Sequence, residues 1–315
     1  MIAGKASFIL PTMNVEKYIG PLLESIYSQD YEGEIEVLIQ DSSSDGTPEI
    51  VRQFPARYVW LDPGDYNYGK TRNEGASMTD GEFLVFLSTD IEIREKWWLS
   101  KLIAHFSDEK VAGVYGRQIP REDATPMEQH FRLVTYPPES RTLEVEGGGL
   151  KKSFVFFSNV NSAIRRSVWE QIKFPEMLRG EEEEFAKRAL LAGYKIHYDG
   201  SAAVYHSHDD SLKNIFKVCF ETGAFIPIVY KGKDINYPMH QIVIDGIGYV
   251  ASEFKFLIRN GYWHRIPYAT VYELTKFFGA FCGSKQKYMP LRMKRALCKK
   301  RNHWDKYDDV IKEPV

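Results

Sequence analysis

Three short polar clusters fall where apolar, strand-like runs end: Pro11-Thr12-Met13-Asn14, Asp41-Ser42-Ser43-Ser44-Asp45-Gly46-Thr47 and Ser88-Thr89-Asp90. Each alone has an ordinary explanation, as a helix start, a turn, or an aspartate after a strand. Together and in order they indicate one binding site, because ligands of an open parallel sheet bind beyond the carboxyl ends of its strands. Two further groups carry chemistry. The run Glu181-Glu182-Glu183-Glu184 opens a helical pattern, where negative charge meets the positive end of the helix dipole. Spacing separates its members. Glu182 stands three, four and seven residues before Phe185, Ala186 and Ala189 and so heads the apolar stripe. Glu183 pairs outward with Lys187, and Glu184 with Arg188. Glu181, one turn before Phe185, can face the same site as Glu182. His206-Ser207-His208 follows another strand-like run.

The elements that must position these groups follow from periodicity. Apolar runs at 6–10, 35–39, 58–61, 83–87 and 111–115 read as buried strands. Helical spacing covers 15–29, 70–78 and 96–106, and Thr47 with Pro48 makes a cap and first turn. Strands separated by helices predict βαβ units and a mostly parallel sheet. Residues 120–150 are polar, end in Gly147-Gly148-Gly149 and read as a loop. No GK[ST] follows the triplet, so a phosphate loop is not expected there. Then come a strand at 154–164, a short helix at 166–172, a helix at 181–192 closed by Gly193, and two strands at 195–198 and 202–205. From Ser211 onward the pattern is helical, with aromatic faces.

Composition bounds the class. The chain has 315 residues, 43% hydrophobic and 27% charged, as in globular proteins. Its 41 Lys+Arg nearly balance 43 Asp+Glu, so a general nucleic-acid coat is excluded. Three cysteines without a CxxC pair exclude a disulfide framework or zinc cluster and suit a reducing compartment. No export signal is expected from Met1-Ile2-Ala3-Gly4-Lys5. The longest apolar stretches are broken by Pro227 and Asp245, short of the ~20 residues that cross a bilayer. Residues 283–303 hold eight Lys/Arg and no acid, interleaved with Leu291, Met293, Ala296 and Leu297. Such a segment either lies on an anionic membrane or packs on the body as a solvated helix.

The chain resembles the family 2 glycosyltransferases of GT-A fold over about residues 5–210. The matching segments are Ile9–Asn14, Gln40–Thr47, Gly69–Ala76, Gly81–Asp90 and Gly180–Gly193. Tyr115–Arg121 and His206-Ser207-His208 resemble the rhamnosyltransferase branch. The resemblance implies an α/β domain at 1–210, with a mostly parallel, doubly wound sheet, and a helical C-terminal region at 211–315 with a basic tail. It implies a nucleotide-diphosphate sugar donor, dTDP-rhamnose first, and a glycan or lipid-linked acceptor. The reaction would be inverting and would use Mg²⁺ or Mn²⁺. Pro11, Thr12, Asn14, Asp41, Ser43, Lys70, Arg72 and Thr89 match donor-binding positions. Asp41 would accept a hydrogen bond from N3–H of uracil or thymine. Lys70 and Arg72 stand near a helix N-terminus, which suits an anion, with a solvated surface lysine the alternative for Lys70.

Asp90 matches the metal position, and Ser88 stands where the family usually has a second carboxylate. His206 and His208 are candidates to complete the shell, with ordinary turn histidines the alternative; Glu92 is a further candidate. Glu182 falls at the position of the catalytic base, usually aspartate, with Glu181 beside it. One of Trp97 and Trp98 is expected in the core and the other at the acceptor pocket. Two other classes remain: a nucleotidyltransferase on a similar sheet, and a non-catalytic nucleotide- or carbohydrate-binding module. The expected location is cytoplasmic, peripheral at the inner membrane face through residues 283–303, with no nucleic-acid partner.

Overall fold

The computed structural model describes residues 3–145, 150, 155–177, 179–230, 239–299 and 304. Along the chain run β1 (Ala6–Thr12), α1 (Glu16–Tyr27), β2 (Ile35–Asp41), α2 (Thr47–Val51), β3 (Arg57–Trp60), α3 (Tyr68–Ser77), β4 (Phe83–Leu87), α4 (Trp98–Ala104) and β5 (Val111–Ile119), the alternation that the periodicities predict. Next come α5 (Pro126–Thr135), β6 (Arg141–Leu143), β7 (Asn161–Arg165), α6 (Arg166–Gln171), α7 (Glu181–Leu191) and β8 (Lys195–Tyr205). Four helices follow: α8 (Leu212–Val229), α9 (Met239–Arg259), α10 (Ile266–Ser284) and α11 (Leu291–Leu297).

The eight strands form one sheet in the order β3-β2-β1-β4-β7-β5-β8-β6. The first four are parallel, and β5 is parallel to β8. β7 inserts antiparallel between β4 and β5, and β6 closes the edge antiparallel to β8. Period-two alternation buries both faces. Phe8, Leu10, Phe83 and Val85 pack with the apolar sides of α1 and α4. Ile9, Leu84 and Phe86 pack on the other face with α6, α7 and α8.

Four expectations change. Thr47 is the first residue of α2 and does not cap it: Gly46 stands at the N-cap, and the Thr47 hydroxyl donates to Asp45 (2.6 Å). The polar stretch 120–150 contains α5 and β6 as well as loop; Thr125 caps α5 by accepting from the Glu128 amide, with Pro126 at the first helical position. Gly147-Gly148-Gly149 lies outside the described residues. The expected strand at 154–164 is regular only from Asn161, and residue 154 also lies outside the described set. The two strands expected at 195–198 and 202–205 are one, β8, with a bulge. Its register against β5 jumps from Asp199 opposite Gly116 to Ala203 opposite Arg117. Asp199 holds the bulge by accepting from the Ser201 amide (2.7 Å) and hydroxyl (2.8 Å).

The helical region is joined to the sheet rather than appended to it. Phe225 and Val229 of α8 belong to the same core as Trp169 and Phe185. α8 also packs against α10 at close range. A Cβ at Gly283 would sit inside van der Waals contact of the Phe220 carbonyl oxygen, and one at Gly223 would meet the Ala280 carbonyl oxygen. Gly283→Ala should therefore lower stability by about 1–3 kcal/mol through overpacking. Gly248→Ala on α9, where nothing lies within 4 Å, should raise it by up to about 1 kcal/mol through helix propensity. Paired denaturant melts check the opposite signs.

Candidate active site

The ends of β4, β5 and β8 converge. The Glu92 amide and carbonyl exchange hydrogen bonds with Tyr205, both 2.9 Å, and the His206 amide donates to the Ile119 carbonyl (2.9 Å). Arg121 clamps the two flanking loops, its guanidinium donating to the Asp90 carbonyl and its amide to Ser207 Oγ. Asp90 Oδ1 thereby lies 3.5 Å from His206 Nε2, and Oδ2 lies 3.6 Å from His208 Nδ1. One ligand atom from each of the three side chains falls within 4.8 Å of the others.

The surroundings fix the protonation of this cluster. His206 Nδ1 lies 2.9 Å from Gln118 Oε1, a carbonyl oxygen that can only accept. The proton therefore sits on Nδ1, and Nε2 presents its lone pair toward Asp90, buried and without a hydrogen-bond partner among the described residues. Arg132 donates to the same Gln118 oxygen. Glu128 orients the outer layer, accepting from Arg132 Nε (2.7 Å) and from the His208 amide (3.2 Å). Burial holds the His206 imidazole down to about 4, against the pull of Asp90. Burial also opposes ionisation of Asp90, but the neighbouring His206 and the hydrogen bond that Ser88 donates (2.6 Å) outweigh it and hold the carboxyl well below its usual range. An ionised carboxylate beside a neutral imidazole lone pair is a donor set that fits a divalent cation such as Mn²⁺.

Opposite stands the acidic first turn of α7. Gly180 precedes it at φ 85, a left-handed conformation, with the Phe225 ring where a Cβ would go. Glu181 is ion-paired with Arg72 of α3. Glu184 takes both Lys187 and Arg188. Glu183, half-buried, turns inward to the aromatic side, not outward to Lys187: it stands three and seven residues before Ala186 and Leu190, which are buried. Its Oε2 is buried without a hydrogen-bond partner among the described residues. Burial, then the charge of Glu181, pushes Glu183 up to about 8. Burial and the charges of Glu181 and Glu183 raise Glu182 well above the ordinary glutamate value, against the pull of Arg72.

Two cavities meet at this point. One, about 360 Å³, is lined by Pro11, Tyr66, Arg72, Ser88, Thr89 and Glu181 among others. The second, about 480 Å³, is walled by aromatic side chains including Phe131, Phe157, Phe225 and Tyr272, and by Glu183. Both are lined by Arg179, Glu182, His206 and His208.

Of the residues singled out in the sequence, Pro11, Arg72, Thr89, Glu181, Glu182, His206 and His208 come together on these walls, and Asp90 joins them through the histidines. Thr12, Asn14, Asp41, Ser43 and Lys70 do not line either cavity. Asp41 is fully buried and accepts hydrogen bonds from Thr12 (2.6 Å), Ser43 (2.6 Å) and Tyr58 (3.1 Å). Asn14, at φ 54, accepts from the Ser44 amide (2.9 Å), and its own amide donates to Ser43 (2.7 Å), so these residues stitch the loops after β1 and β2 together. Lys70 lies 3.7 Å from Glu74 at the surface. Glu92 is engaged by Arg94 at 2.8 Å, outside the Asp90 cluster. Trp98 is in the core as expected, but Trp97 is exposed and bonds Asp30; neither lines a cavity. Sequence reasoning missed Arg179, Tyr66, Lys299 and the outer layer of Gln118, Glu128 and Arg132. The signal for the last two was Thr125-Pro126-Met127-Glu128, a helix start.

Comparison with known proteins gives a concordant picture. The family model described as glycosyl transferase family 2 matches residues 7–173. The O-antigen chain rhamnosyltransferase WbaN of Salmonella anatum is 33% identical over 276 residues, 85% of each chain. The O-antigen chain rhamnosyltransferase RfbN of Salmonella typhimurium is 30% identical over 309 residues, 96% of each chain. Among solved structures, the mannosyltransferase PcManGT from Pyrobaculum calidifontis, in complex with GDP-Man and Mn²⁺, superposes with a TM-score of 0.63 at 16% identity, covering 91% of this chain and 87% of that one. S. aureus TarS 1-349 in complex with UDP-GlcNAc gives 0.52 at 22% identity, covering 97% and 88%. These last two establish a shared fold, of GT-A type.

The outer layer yields a test. Gln118→Leu removes the acceptor that sets the His206 tautomer, and such losses typically weaken metal affinity about 10–100-fold. Titration of Mn²⁺ followed by its electron paramagnetic resonance signal should show that drop. Equal affinity in wild type and variant would detach Gln118 from the cluster.

Proposed function

We propose that this chain, which belongs to glycosyl transferase family 2, moves a sugar with inversion from a nucleotide-diphosphate donor to a hydroxyl of a glycan, free or lipid-linked. The observation that carries this reading is the Glu182 carboxylate on the wall common to both cavities, beside His206 and His208. The smaller, more polar cavity suits the donor and the aromatic one the acceptor. dTDP-rhamnose is the first donor to try, on the strength of the two Salmonella rhamnosyltransferases. The setting is then the cytoplasm, where nucleotide sugars are made.

In this reading Glu182 takes the proton from the acceptor hydroxyl as that oxygen attacks the anomeric carbon. One displacement with one base inverts the configuration. Asp90, His206 and His208 would hold Mg²⁺ or Mn²⁺, which when bound supplies charge neutralisation for the departing diphosphate. Lys299 lines the donor cavity, and no ion pair of its ammonium is found among the described residues, so it would add positive charge there. Its segment is anchored, since the Lys299 amide and the Cys298 thiol both donate to Glu221 Oε1, at 2.7 and 2.9 Å. Arg72, neutralised by Glu181, would orient rather than compensate. Thr12, Asn14, Asp41 and Ser43 would act by shaping the loops beneath the nucleotide, and Lys70 from the rim.

Incubation of pure protein with dTDP-rhamnose and Mn²⁺ tests the reaction class: release of dTDP supports transfer or donor hydrolysis, whereas formation of dTTP and rhamnose 1-phosphate, only when pyrophosphate is added, would point to a nucleotidyltransferase. Glu182→Gln should keep nucleotide binding and lose transfer by about 10²–10⁴-fold. The base must be ionised, and its raised pKa places the acidic limb of the rate profile above that of a free glutamate. Glu181→Gln removes the ion-paired neighbour whose charge raises Glu182 and frees Arg72 to pull on it, so the limb should move to lower pH. A limb that stays in place would uncouple the two.

A further inference from the structure

We infer that the outer face of the α9–α10 hairpin is a docking surface for an anionic lipid bilayer. It stands on surface features alone and does not depend on the identity of the donor. On α10, Val271, Leu274, Phe278 and Phe281 recur every three or four residues and form one stripe. Leu274, Phe278 and Phe281 are about 60% exposed, on a different side of the helix from Gly279 and Gly283, which press against α8. α9 packs beside α10 at Gly246 and Phe277 and adds Ile247 and Ile258, 66% and 59% exposed. Trp263 and Tyr288 flank the stripe at its two ends, 68% and 73% exposed. Such rings, apolar with one polar edge, suit a membrane–water boundary. Exposed apolar side chains gathered along one helix and its neighbour in this way mark an interaction site.

Charge identifies the occupant. Residues 244–299 hold ten Lys/Arg against three Asp/Glu, in a chain whose net charge is −2. Two of the three acids, Glu253 and Glu273, are buried. Exposed cations flank the stripe: Lys255, Arg259 and Arg265 on one side, Lys285, Lys287 and Arg292 on the other. A second copy would set cations against cations. Anionic headgroups complement them while the stripe enters the acyl boundary. No described helix is long and apolar enough to cross a membrane, so the hairpin would lie on the surface. The basic segment 283–303 contributes only in part. α11 spans seven residues, and Lys294 is buried with its ammonium over the Trp304 ring at 5.3 Å. The surface therefore extends upstream of the segment that charge alone marks.

Vesicle flotation of the full chain, with and without phosphatidylglycerol in phosphatidylcholine, tests this. Binding should require the anionic lipid and be reversed by high salt. Phe278→Ser with Phe281→Ser, and separately Lys285→Glu with Lys287→Glu, should each cut the bound fraction at least about tenfold at unchanged melting temperature. Leu274→Ser serves as a second apolar variant should the phenylalanine pair fail to fold. Equal flotation on pure phosphatidylcholine, equal flotation of the variants, or none by wild type would overturn the proposal. So would a wild-type dimer in sedimentation velocity that the phenylalanine pair dissociates, which would assign the face to a second copy. Loss of dTDP binding would leave each of these outcomes readable.

Discussion

Four consecutive carboxylates cannot ionise side by side in a buried helix start, and the site is arranged around how the protein divides them. Glu181 is given Arg72 from α3, and Glu184 is given Lys187 and Arg188 from its own helix. Among the described residues Glu182 and Glu183 receive no such cation, and they are held toward the protonated form. This division requires α3, α7 and α8 to meet at fixed angles. Gly180, in its left-handed conformation under Phe225, directs the chain into α7 so that the first turn faces inward. A carboxylate whose proton affinity is raised in this way is suited to general-base work near neutral pH.

The cation cluster follows a different logic. Its three groups come from the ends of β4 and β8, but their protonation is decided by β5 and α5. One amide oxygen, of Gln118, serves both Arg132 and His206. Through it the Glu128–Arg132 pair fixes which imidazole nitrogen is free. Positioning of this sort by an outer layer is as much a part of a metal site as its ligands.

Much of this was legible in the sequence, and what was not has physical reasons. The strand and helix alternation through residue 119 followed from apolar periodicity, and of the clusters at strand ends Pro11, Ser88 and Thr89 line the smaller cavity. The inserted antiparallel strand β7 was not legible, because strand direction is set by partners far along the chain. Helix α5 was hidden by the polar composition around it, although its cap signal was present. Glu183 was misdirected because two local rules compete there. Spacing to Lys187 favours an outward pair, whereas spacing to Ala186 and Leu190 favours the buried stripe, and the tertiary contact of α7 with α8 decides. Asp41 stood at a strand end as expected, but three hydroxyls from separate segments close around it, which no local pattern reveals. The aromatic cavity draws on α5, α8 and α10, spread between residues 126 and 284, and left no local mark.

Helix α8 has a consequence for how the molecule comes apart. It gives Phe225 and Val229 to the sheet's core and its glycine-lined side to α10. An element shared in this way leaves no seam along which the helical region can open while the sheet stays closed. The two should then form a single cooperative unit. Backbone amides in the middle of α10 would exchange with solvent only when β1 and β4 do. Any ligand that tightens the cleft would slow that exchange at the far end of the hairpin as well as at its own walls.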